Sequence, residues 1–191
     1  MASADAGRDP GVEANARLTG YVGVTLLILL PVELVSGLML KRLFPVHVLV
    51  GFLLVPPVLL KLGSVGYRFV RYYTGDARYR AAGAPALGRR LLGPFMVLLT
   101  LIVFGSGVEL WLFGYRFGFI WVGMHHASAY LWSVAAIIHV LNYASRGPAL
   151  AAADWRDHLG GSLGRRSLVV AALVLGAALA IAMLMYPSTY A

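Results

Sequence analysis

Three histidines, His125, His126 and His139, lie in the apolar run Met124–Val140, which is long enough to cross a bilayer. An unpartnered imidazole is expensive in hydrocarbon, so a histidine at that depth needs a hydrogen-bond partner or a metal. Helical geometry separates the three. His125 and His139 are fourteen residues apart, which places them within about 40° of one face and roughly 21 Å apart along the axis. His126 is thirteen residues from His139 and falls about 140° around the helix. His125 therefore stacks with His139, and His126 looks elsewhere. The segment HVLVGFLLVPPVLLK repeats the spacing, with His47 fourteen residues before Lys61. If the two segments run parallel, His47 meets His125 near one end and Lys61 meets His139 near the other. Two histidines facing across a helix bundle suit axial ligation of haem iron, one imidazole to each side.

Small residues stand at the same depth. VSGLM supplies Ser36 and Gly37, FGSGV supplies Gly105, Ser106 and Gly107, and Gly51 follows His47 by four positions. Such residues let a flat cofactor wedge between helices, and they also serve ordinary close packing in membranes.

The elements that must position these groups follow from composition. The chain has 191 residues, 60% hydrophobic and 13% charged, with no cysteine. The charged fraction is about half that of soluble domains, and the missing cysteines exclude disulfides, thiolate metal sites and iron–sulfur clusters. The sequence predicts an all-α integral membrane protein, multi-pass in the cell inner (plasma) membrane. Five runs of spanning length cover about Leu18–Leu40, Phe44–Val65, Leu91–Phe113, Trp121–Tyr143 and Ser167–Tyr186. Residues 1–16, small and polar, read as a disordered cytoplasmic tail. Residues 17–145 form a four-helix core, 146–166 a cytoplasmic loop, and 167–191 the fifth span with a short outer tail. Arginines crowd two alternate loops (Arg68, Arg71, Arg78, Arg80, Arg89 and Arg90; then Arg146, Arg156, Arg165 and Arg166). The positive-inside rule then puts the N-terminus in and the C-terminus out. The net charge of +8 is thereby a topology signal, and no nucleic-acid partner is expected.

With four spans in order, the chain resembles the bacterial cytochrome b561 / Ni-hydrogenase b-type cytochrome group, which includes the cytochrome subunits of formate dehydrogenases and hydrogenases. The resemblance rests on H-x3-G entering span two (His47, Gly51), H-x13-H in span four (His125, His139) and the Ser-Gly pairs late in spans one and three. It covers about residues 17–145. It implies haem b bound by His47 and His125, with His139 a ligand of a second haem, and electron exchange between an extracytoplasmic oxidoreductase subunit and quinone. One departure is plain. The family carries a histidine about three residues after an arginine in span one; here Arg17 is present and Gly20 occupies the histidine's place. Three readings of the inner pair follow: a second haem on His139 and Lys61, a quinone or proton site, or a structural relic with Lys61 snorkelling to the interface.

Other polar residues have two readings each. Glu33 and Glu109 are proton acceptors from reduced quinone or interfacial groups. Lys41, Arg42 and Arg116 pair with haem propionates or anchor at the interface. His126 contacts a propionate or quinone, or lies in the headgroup zone, and His158 is an exposed loop residue. Trp111, Trp121 and Trp132 read as an interfacial belt. Pro56-Pro57 predicts a bend in span two. Electron transfer as a subunit, rather than stand-alone catalysis, is the expectation, since the loops are too short for a catalytic domain. The rival is a haem-free transporter or an anchor subunit, though no internal repeat or pair of broken helices supports transport.

Overall fold

The structure, a computed structural model, describes residues 9–83, 87–143, 146–156, 160–186 and 188. His158 lies outside the described residues. Every regular element among them is a helix: α1 (Pro10–Leu38), α2 (Leu40–Tyr73), α3 (Ala77–Ala81), α4 (Leu87–Phe113), α5 (Ile120–Tyr143), α6 (Arg146–Arg156) and α7 (Ser162–Met185). Four of these are long and apolar enough to cross a membrane, and α5 taken with α6 makes a fifth candidate. Large apolar side chains such as Ile28, Leu98, Leu141 and Leu175 are exposed on the outside of the bundle. In lipid that exposure is favourable, whereas soluble monomers rarely expose large contiguous apolar patches. The chain is a multi-pass helical membrane protein.

The first helix begins earlier than composition predicts. Asp9 caps it, its side chain accepting from the backbone N–H groups of Gly11 and Val12, with Pro10 in the first turn. This is a favourable helix start, and Val12 and Arg17 are buried. Residues 10–16 are thus helical rather than an unstructured tail. The region 146–166, expected as a cytoplasmic loop between spans, is also helical over most of its described residues. It holds α6 and the first turn of α7, and α6 packs along α1. Gly20 makes that packing close: a Cβ there would lie 2.9 Å from Leu150 Cβ and 3.1 Å from the Gly147 carbonyl oxygen.

Helix α2 is the centre of the fold, with α1 on one side and α7 on another, while α4 pairs with α5 and touches α2 sparingly. Val22 and Leu26 of α1 interlock with Val50, Leu54 and Val58 of α2. Pro56 and Pro57 do not break α2; its non-helical backbone angles occur at Leu43, ahead of Pro45. Proline at position 57 removes the N–H that would pair with the Leu53 carbonyl. Gly176 of α7 presses against that oxygen, so close that a Cβ would collide with it. A glycine Cα–H contact of this kind compensates in part for the missing donor and sets α7 against α2.

Trp111 belongs to the core rather than to an interfacial belt. It is 8% exposed, packs with Val48, Phe52 and Ala180, and donates from Nε1 to the Met183 carbonyl at 3.1 Å. The α1, α6 and α7 junction is held by charge. Asp154 is fully buried and pairs with Arg165, while Arg17 Nη1 lies 3.7 Å away and Arg17 Nε bonds Glu13 at 2.9 Å. Arg166 donates from Nε to the Tyr21 hydroxyl (3.2 Å) and stacks over the Trp155 ring at 3.5 Å.

Candidate functional site

The gap between the α1/α2 pair and the α4/α5 pair forms a partly open cavity of about 250 Å³. That is close to the ~300 Å³ at which small-molecule pockets begin. Apolar side chains supply most of the wall, including Leu34, Phe44, Val55 and Val108, and His47 and His125 enter from opposite sides. Each sits early in its helix, so the like-facing ends of α2 and α5 are brought together and the two helices run parallel. The ring centroids are 6.1 Å apart and the ring planes are inclined at 76°.

His125 is oriented from behind by α4. Its Nδ1 lies 3.0 Å from the Val103 carbonyl oxygen and 3.2 Å from Ser106 Oγ. A carbonyl only accepts, so Nδ1 carries the proton and Nε2 keeps its lone pair. Ser106 Oγ is held by its own bond to the Ile102 carbonyl at 2.6 Å. Gly107 makes the approach feasible, since a Cβ there would stand 3.0 Å from His125 Cε1.

His47 is backed by α1. Its Nδ1 lies 2.9 Å from Glu33 Oε1, at contact distance although its N–H is not aligned for a strict hydrogen bond. Gly37 provides the space, a Cβ there reaching to 3.4 Å from the ring. Gly51 has a different role from clearing room for a cofactor. A Cβ at that position would come within 3.3 Å of Glu33 Oε1, so the glycine admits the carboxylate.

The structure therefore brings His47, His125, Gly37 and Gly107 together and adds Glu33 to them. His126 lines the same cavity but is exposed, away from the His125 partners. Lys61 and His139 lie deeper in α2 and α5. His139 is half-buried within electrostatic reach of Lys61, and Lys61 Nζ donates to the Thr19 carbonyl of α1 at 2.7 Å. Gly23 leaves room for that ammonium, with a Cβ position 3.2 Å from Nζ. Lys41, Arg42 and Arg116 are exposed, Arg116 lying over the Phe117 ring. Both Glu109 carboxylate oxygens are buried with no hydrogen-bond partner among the described residues.

Sequence spacing had no means to find the Val103 carbonyl, because a backbone group carries no residue signature. Trp132 was also missed as a site residue; it lines the cavity and donates from Nε1 to Thr100 Oγ1 at 2.8 Å. Among the described residues no group of three or more His, Cys, Asp or Glu converges as a metal centre. The fold and site together define a multi-pass helical membrane protein with a paired-histidine cavity. No family model, curated protein or solved structure matches the chain.

Proposed function

We propose that this protein is a b-type cytochrome that holds one haem b between His47 and His125 and relays electrons between a redox partner subunit and membrane quinone. The observation that carries the reading is the histidine pair, with ring centroids 6.1 Å apart across an apolar cavity. Two imidazoles on opposite sides of one metal ion, each bond about 2 Å long, have ring centres roughly 6 Å apart. Two protein nitrogens do not complete a bare metal centre, and a tetrapyrrole brings its own four. When bound, haem supplies a one-electron couple whose potential the protein sets through burial and hydrogen bonds to the ligands.

The chain's own residues perform the rest. Val103 holds the proton on His125 Nδ1 and leaves Nε2 available. Gly37 and Gly107 let both rings stand close to α1 and α4. The largely apolar wall lowers the polarity around the site, which would limit reorganisation around a changing charge. Resemblance to the cytochrome b561 / Ni-hydrogenase group supports the same ligand pair and the quinone partner. The basic loops favour a cytoplasmic N-terminus in a cell inner membrane, with the histidine-pair end facing outward.

A single haem is the reading best supported by the other end of the bundle. Gly20, at the place of the family's inner histidine, is packed under α6, and Lys61 is committed to the Thr19 carbonyl. Purified protein is expected to be red, with a reduced-minus-oxidised spectrum of low-spin bis-histidine haem at one haem per chain, unchanged in Lys61→Ala. A colourless preparation from haem-replete cells would overturn the reading.

A further inference from the structure

The two histidines are held by chemically different groups. Behind His125 stand a neutral backbone carbonyl and a hydroxyl, at 3.0 and 3.2 Å. Behind His47 stands the Glu33 carboxylate, 2.9 Å from Nδ1. Glu33 lies within a membrane helix, and its Oε2 is buried with no hydrogen-bond partner among the described residues. A carboxylate in such surroundings requires a donor, and His47 Nδ1, at 2.9 Å, is the ring nitrogen within reach of it. Three small residues shape the contact. Gly51 admits the carboxylate, Gly37 admits the imidazole, and buried Ser36 donates to the Glu33 carbonyl at 2.9 Å.

We propose that Glu33 is a positioning residue for His47: its carboxylate takes the Nδ1–H, directs Nε2 into the cavity, and makes His47 the stronger electron donor of the pair. This rests on the haem reading above. Hydrogen bonding from a ligating imidazole to a carboxylate raises the ligand's basicity. Oxidised iron with two neutral imidazoles and a porphyrin dianion carries one more positive charge than reduced iron. A negative charge behind one ligand therefore stabilises the oxidised form and lowers the reduction potential. Among the described residues His125 is backed by a carbonyl and a hydroxyl and by no carboxylate, so the two imidazoles would differ as electron donors.

The test is a potentiometric titration of the purified haem protein, with the electron paramagnetic resonance spectrum of its oxidised form recorded alongside. Glu33→Gln keeps size and removes charge; it is expected to retain the low-spin spectrum while the midpoint potential moves upward and the g-values change. Glu33→Asp, which keeps the charge, is expected to stay nearer the wild type. Gly51→Ala crowds the carboxylate from the opposite helix and is expected to shift the potential in the direction of Glu33→Gln, so the proposal stays testable if Glu33→Gln assembles poorly. Wild-type protein that loads haem, with potentials unaltered in Glu33→Gln and Gly51→Ala, would overturn the role of Glu33 and leave the haem reading standing. Failure of the wild type to take up haem would overturn both.

Discussion

The two ends of this bundle bury ionisable groups in very different ways. At the α1/α6/α7 junction, buried Asp154 faces Arg17 and Arg165, with Glu13 bonded to Arg17 and the Tyr21 hydroxyl bonded to neighbouring Arg166. Opposite charges there face each other, and the group joins three helices. At the other end, His47 and His125 are each held on one side only, at Nδ1, with the remaining face turned toward a cavity. Arg17 and Glu33 are sixteen positions apart on α1, so about 24 Å separates the two ends. Ion-paired burial acts as a fastener, whereas polar groups backed from one side and lining an apolar cavity suit a ligand.

The largest expected effect breaks the ligand end. His47→Ala or His125→Ala should abolish the low-spin haem spectrum, while His126→Ala, on an exposed ring, should retain it. If His126→Ala bleaches the protein and His125→Ala does not, the pairing at 6.1 Å is not the binding geometry.

The fastener should respond in stability instead. Removing one partner of a buried ion pair typically costs about 3–5 kcal/mol, so Asp154→Asn should lower the thermal midpoint in detergent strongly. Any haem that remains bound in the folded fraction should keep an unaltered spectrum. A spectrum shifted as far as in a Glu33 variant would show that the two ends are coupled.

A smaller effect tests the difference at Gly20. Placing a histidine there drives a side chain into Leu150 and the Gly147 carbonyl, an overpacking that costs about 1–3 kcal/mol. Gly20→His should destabilise the protein and leave haem stoichiometry at one per chain. Two haems in that variant would mean that α6 yields easily and that the inner site is latent.

The smallest expected effect lies outside both ends. Asp76 caps α3, accepting from the Arg78 backbone N–H at 2.9 Å. Its pKa is held down to about 2, chiefly by the Arg78 side chain, with the Arg71 charge adding to it. A depressed acid contributes stability above its unfolded value near 3.8 and loses it as pH falls toward 2. Amide exchange in Ala77–Ala81 should therefore quicken as pH is lowered through that window, after correction for intrinsic exchange. In Asp76→Asn the extra acceleration should vanish while the membrane helices stay unaffected.

Some of this was legible in the sequence because it depends on periodicity. Apolar runs of spanning length mark the helices, and a fourteen-residue interval puts His125 on the face of His139 and His47 on that of Lys61. Parallel α2 and α5 then follow from alternation of the spans. Gly37 and Gly107 were legible as small residues at the histidine depth.

Other features depend on neighbours distant in sequence, and no local pattern encodes them. The apolar pattern around Trp111 fits an interface as well as a core; contact with Ala180 and Met183 of α7 makes it core. A polar N-terminal segment becomes helix because Val12 and Arg17 find partners on the folded bundle. Gly51 reads as clearance for a cofactor until Glu33 is seen in the space. The residues themselves determined a multi-span helical protein with two histidines able to share a depth, because helical rise and twist are fixed by backbone geometry. Tertiary structure alone decided that a carboxylate backs one histidine, a carbonyl backs the other and α6 covers Gly20, because contacts across helices depend on which faces the whole chain packs together.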